Sequence, residues 1–218
     1  TENTFYLAAQ RLGQKWSTFS AVDVTDTLLA FQKECRQWDI SYSYYESVVC
    51  SVLAEQVGDP LQWLGEAYSR GLDAHVVMPF AARIVKEESS EADRWIVMLL
   101  QSDKYVVAAL ARVLGLDLVS QQIHDVAAPL LAEYAHAIKT WLYQGQISSH
   151  WLRWLTANAN GTLALTVAIE DFRSTERAIL TGDREGWLDL FCRGISGLEE
   201  LKSDSFYDVD ELLTTIPE

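Results

Sequence analysis

Glu133 and His136 stand in an E-x-x-H arrangement, the spacing at which a carboxylate and an imidazole share one face of a helix and can hold one metal ion together. A di-iron carboxylate centre needs that pair twice, with two further glutamates. The chain has four histidines, His75, His124, His136 and His150, and no second pair. His124-Asp125 is a dipeptide suited to metal-dependent phosphoester chemistry, but no companion histidine and aspartate follow at usable positions. His124, Glu133 and His136 are therefore the metal-ligand candidates that the sequence offers. For each histidine, a helix cap or a hydrogen-bonded, partly buried ring is the simpler reading.

Other catalytic patterns are missing. There is no G-x-S-x-G turn, no G-x-x-x-x-G-K-[ST] phosphate loop and no strand running into G-x-G-x-x-G. The serines fall mostly where helices begin, and capping accounts for them. Cys35, Cys50 and Cys192 are odd in number, widely spaced and free of any C-x-x-C, so neither a disulfide framework nor a thiolate zinc site is expected. No cofactor is implied, and the balance leans away from an enzyme.

Charge speaks more clearly than motif. Seventeen basic and thirty-one acidic residues give a formal charge of -14 and leave no basic footprint for phosphates, so direct binding of nucleic acid is not expected. Half of that net charge lies in residues 181–218, which hold ten acids and three bases. The acidic segment 199–218 sets Asp204, Asp208, Asp210 and Glu211 beside Phe206 and Tyr207. Acids that steer a basic surface, followed by aromatics that anchor it, make these six residues the candidate partner-binding site. The alternative is that the aromatics close the core while the acids stay in water.

The elements that must position these residues are helical. Phe5, Ala9, Leu12, Trp16 and Phe19 recur at steps of four and three, and Val24, Leu28, Phe31, Cys35 and Trp38 repeat the rhythm, which predicts an antiparallel helical pair. Ser43 and Glu46 have capping-box spacing, and Gly58 reads as the C-terminal cap of that third helix. Asp59-Pro60 is a helix start that should run to Gly71. Further starts are expected at Pro79, Ser90 and Ser102, and a long helical stretch at 118–143 should kink or split at Pro129. Helices at 148–158, 162–180 and 183–201 and a short one at 208–214 complete the set.

Leu61, Leu64, Gly65 and Tyr68 keep the spacing of the first helix of a tetratricopeptide repeat over about a dozen residues. Leu61 holds the place of that pattern's tryptophan, and no second segment repeats it at the required period. The stretch resembles a helical hairpin of that kind without assigning the family.

Strand signals are almost absent, and four prolines and eleven glycines leave little for a turn-rich β fold. The expectation is an all-α protein of ten to thirteen helices, either a compact bundle or stacked helical hairpins. One domain over residues 1–218 is expected, with an internal joint near 144–149. Eight tryptophans, five of them followed by leucine, read as core anchors. The longest apolar run, Tyr105 to Val119, is broken by Arg112 and Asp117, so no membrane insertion is expected, and a reduced, cytoplasmic setting follows. The functional expectation is a non-catalytic protein–protein interaction module: an adaptor, chaperone or assembly subunit whose protein partner has a basic surface, with self-association open. Alternatives are an inhibitor or immunity-type protein that masks a basic partner, and a helical metal protein or enzyme.

Overall fold

The computed structural model describes residues 2–143, 146–173 and 184–197. The described residues form twelve α-helices and no strand, as the periodicity predicts. No helix among them is long and apolar enough to cross a membrane. The chain divides into two compact units, residues 1–109 and 110–218, with the boundary inside one helix; the expected joint near 144–149 includes residues 144–145, which lie outside the described residues.

The first unit holds α1 (Glu2–Trp16), α2 (Ala21–Gln37), α3 (Ser43–Gln56), α4 (Pro60–Ser69), α5 (Ala74–Lys86), α6 (Ala92–Leu100) and the start of α7 (Val106–Leu114). Helix starts follow local chemistry. Ser20 caps α2 by accepting from the Asp23 amide, and Asp59 caps α4 by accepting from the Gln62 amide, with Pro60 placed where no amide is needed. Pro79 does not start a helix. It lies inside α5, which begins at Ala74, so the earlier turn and the proline belong to one continuous element.

Alternate helices pack on one another. α1 lies on α3, α3 on α5, and α2 on α4, while α5 also meets α4 and α6. The predicted pairing of α1 with α2 therefore gives way to a stack in which each finds its main partner in a later helix. Gly13 makes the α1–α3 approach close: a Cβ there would lie 2.7 Å from the Val49 carbonyl oxygen and 2.9 Å from Val52 Cβ. Leu53, Leu64, Val76, Phe80, Ile84 and Ile96 fill the core completely. Trp63 stacks on Phe80 at 5.8 Å between ring centroids.

The second unit holds the rest of α7, then α8 (Gln121–Glu133), α9 (Ala135–Tyr143), α10 (Ser149–Asn158), α11 (Gly161–Arg173) and α12 (Arg184–Ser196). α11 is its centre and packs against α8, α9, α10 and α12. Its Ala164, Leu165, Val167 and Ala168 are buried, and Gly194 lets α12 press on its backbone. Trp151 is fully buried and its indole N–H donates to the Val113 carbonyl at 3.0 Å, satisfying the one polar atom that its burial would strand.

Candidate functional site

The metal-candidate residues fall on two successive helices. The expected long helix breaks at Tyr134, with φ -103° and ψ 27°, and not at Pro129, which α8 carries within it. Glu133 therefore closes α8 while His136 belongs to α9, and both are exposed. One helical face for the E-x-x-H pair is corrected by that break. His124 lies elsewhere on α8, stacked on Trp151 at 5.1 Å and edge-on to Trp154 and His150. Among the described residues no three His, Cys, Asp or Glu side chains gather to hold an ion. The partner-binding candidates Asp204, Phe206, Tyr207, Asp208, Asp210 and Glu211 lie outside the described residues.

The concentration of unusual chemistry lies instead in the first unit, around Glu46. The capping-box reading of this residue fails: the N-cap of α3 is Tyr42, with no side-chain cap bond, and Glu46 turns inward at 4% exposure. Its Oε2 accepts from Gln32 Nε2 at 2.8 Å and lies 2.6 Å from His75 Nε2, whose hydrogen donates in the Nε2–H tautomer. Gln32 is fully buried and His75 half-buried, so one carboxyl ties α2, α3 and α5 together. Glu46 Oε1 and Gln32 Oε1 are buried with no hydrogen-bond partner among the described residues.

A second polar cluster flanks the first. Asp73 accepts from Tyr42 Oη at 2.7 Å and from Arg36 Nη2 at 2.6 Å, with Lys104 Nζ at 3.3 Å. Burial opposes the charge of Asp73, but the Tyr42 and Arg36 hydrogen bonds, the Arg36 charge and Lys104 outweigh it and hold the carboxyl below its ordinary range. The same contacts raise Arg36. Burial, then the Glu46 charge, pushes the Cys50 thiol up, and burial acts likewise on Cys35 ahead of Glu46 and Glu34. Neither thiol is poised as a nucleophile.

Above the Glu46 carboxyl, α1 and α2 diverge and leave an open cavity of about 330 Å³. α1 contributes Ala8, Ala9, Leu12 and Trp16, α2 contributes Thr27, Leu28 and Phe31, and α3 forms the floor with Tyr45, Glu46 and Val49. The wall is apolar throughout, so Glu46 reaches it by its aliphatic stem and keeps its oxygens behind. An acid and an imidazole 2.6 Å apart are able to pass a proton, but the cavity wall above them is apolar and offers that proton no polar path.

Large apolar side chains stay exposed around this opening. Leu12, Phe31 and Tyr45 line it at 38%, 44% and 46%, Phe19 follows in the α1–α2 turn, and Trp38 stands just past α2 at 66%. Residues 6–45 also expose Tyr6, Leu7, Val22, Ile40 and Tyr44. Exposed Leu12, Phe31 and Tyr45 around an apolar cavity mark a place where another surface docks. Sequence reasoning missed it because Leu12, Phe31 and Trp38 lie on the periodic stripes that ordinarily become core; the signal was that two amphipathic stripes in a row need a common partner to cover both.

Comparison of the chain with protein-family models, curated proteins and solved structures yields no match. The described residues define an all-helical fold with an open, apolar interhelical groove.

Proposed function

We propose that the chain is a non-catalytic protein–protein interaction module, an adaptor or assembly subunit, that engages apolar side chains of a protein surface in the groove between α1 and α2. The observation that carries this reading is the apolar cavity of about 330 Å³, rimmed by exposed Leu12, Phe31 and Tyr45. Aromatic and aliphatic anchors that fill such a slot supply most of the energy of an interface, while the polar rim supplies orientation. The charge of -14 favours a protein with a basic surface during long-range approach, and the acidic residues Asp204, Asp208, Asp210 and Glu211 beside Phe206 and Tyr207 are the proposed second contact for it.

The test is site-specific photocrosslinking. A benzophenone side chain replaces Phe31 in one protein and Arg94, exposed in α6, in another. The expected result is one dominant adduct from position 31 that is absent from position 94. The adduct should be lost with Leu12→Asp, and its identified protein, purified, should bind the wild-type chain at least ~10-fold tighter than L12D. Diffuse labelling at position 31, or binding indifferent to L12D, overturns the reading.

A further inference from the structure

We propose that the groove between α1 and α2 is filled by the same groove of a second copy of this chain, forming a twofold dimer; this rests on the reading of the groove as a protein-docking site. The end of the helical stack supplies the first argument. α3 is covered by α1 on one side and α5 on the other, whereas α1 and α2 do not pack closely on each other and leave Leu12 and Phe31 partly exposed over the cavity. Helical stacks bury each layer under the next, and a terminal layer left apolar requires a cover.

Charge supplies the second. On α1, Arg11 stands one turn from Ala8, and Lys15 one turn from Leu12. On α2, Asp23 stands one turn before Thr27, and Glu34 one turn after Phe31. All four are exposed, and none forms an ion pair among the described residues. The groove thus has a basic edge on α1 and an acidic edge on α2. A twofold axis running along the groove lays the basic edge of one protomer on the acidic edge of its partner, twice, with apolar floor against apolar floor. The edges carry two bases and two acids, so this face is neutral in a chain of charge -14, and self-association meets no local repulsion.

Area supplies the third. An aromatic side chain buries roughly 150 to 250 Å² when fully covered, so the two exposed aromatics that line the groove, Phe31 and Tyr45, each about half exposed, offer on the order of 200 Å². That is about a quarter of the ~800 Å² per partner of a standard interface, before Leu12, Ala8, Trp16 and the charged edges are added.

The experiment is sedimentation equilibrium on the full chain and on two charge-reversed variants. The wild type should dimerise with a dissociation constant in the micromolar range or below. R11E/K15E makes both edges acidic, and D23K/E34K makes both basic. Each alone should dimerise on the order of 100-fold more weakly, because like charges then face each other along both edges. Mixed in equal amounts, the two variants should restore association as a heterodimer, since every contact is again between opposite signs. Helical circular dichroism of each variant checks that it folds. A wild type that stays monomeric at roughly 100 µM, or variants that fail to rescue one another when mixed, overturns the dimer. A monomeric chain that still gives the Phe31 adduct with another protein leaves the docking reading standing and assigns the groove to that partner; a monomer without an adduct removes both.

Discussion

Replacing Glu46 with alanine tests whether the buried carboxyl holds the first unit together. The side chain is 4% exposed and accepts from Gln32 Nε2 at 2.8 Å and from His75 Nε2 at 2.6 Å. Truncation removes one buried methylene, worth about 0.8 kcal/mol. It also strands the Gln32 amide in a fully buried position, at about 1–3 kcal/mol. His75, being half-buried, recovers water, and relief from holding a carboxylate out of solvent offsets part of the loss. The net expectation for Glu46→Ala is about 2 kcal/mol, and for Glu46→Gln, which keeps the stem and one acceptor oxygen, about 1 kcal/mol or less. Two units need not unfold together, so the assay must report on the first one alone. Hydrogen exchange of α3 amides does so: about 2 kcal/mol corresponds to exchange roughly 30-fold faster in E46A than in the wild type. Exchange in E46A within about twofold of the wild type, or equal effects of alanine and glutamine, would refute the assignment of a structural role to this acid.

In the second unit, Gly194→Ala should lower the melting temperature, because a Cβ would lie 2.8 Å from the Leu165 amide nitrogen and the backbone of α11 cannot yield as a side chain would. Helix propensity returns up to about 1 kcal/mol and overpacking costs about 1–3 kcal/mol, so calorimetry should show a net loss; a gain would show that α11 and α12 are less closely seated than the structure has them. Burial, then Tyr68 and Asp73, pushes the Tyr105 phenol up to about 12, and its hydroxyl donates to the Leu72 carbonyl at 2.7 Å. Folding thus favours the neutral phenol: its contribution is intact below the ordinary tyrosine value near 10 and is lost as pH rises through about 12. Stability of the wild type, followed against pH by circular dichroism, should fall in that interval, and Tyr105→Phe should flatten the fall.

The helical class and most helix boundaries were legible in the sequence because they depend on local chemistry. Ser20, Asp59 and Ser120 each accept a backbone amide at a helix start, and a few neighbouring residues suffice to specify that bond. Partner choice between helices was not legible. The stripes of α1 and α2 match in period and suggest a pair, yet α1 is drawn to α3 by Gly13, whose missing Cβ admits the Val49 carbonyl. That contact joins residues far apart in the chain, and no local pattern encodes it. Glu46 misled for the same reason. Three residues after Ser43 it fits a capping box, and only the arrival of Gln32 from α2 and His75 from α5 turns it inward.

The groove and the carboxyl beneath it are connected by this geometry. An apolar residue at position 46 would bond to nothing, and the approach of α2 to α3 would be set by packing alone, which tolerates sliding and collapse. A hydrogen-bonded carboxyl fixes distance and direction, since Gln32 must present its amide and His75 its Nε2 to the same oxygen, Oε2. Phe31 precedes Gln32 directly, and Tyr45 precedes Glu46. Each aromatic lining the groove is thus held by a neighbour whose side chain points the other way into the polar cluster. Tyr42, bonded to Arg36 and Asp73 and edge-on to Phe31 at 6.1 Å, braces the same wall from outside the cavity. The α2 and α3 sides of the opening are held by bonds independent of what fills it, and a preformed opening is the condition under which an apolar side chain docks without first having to order its site.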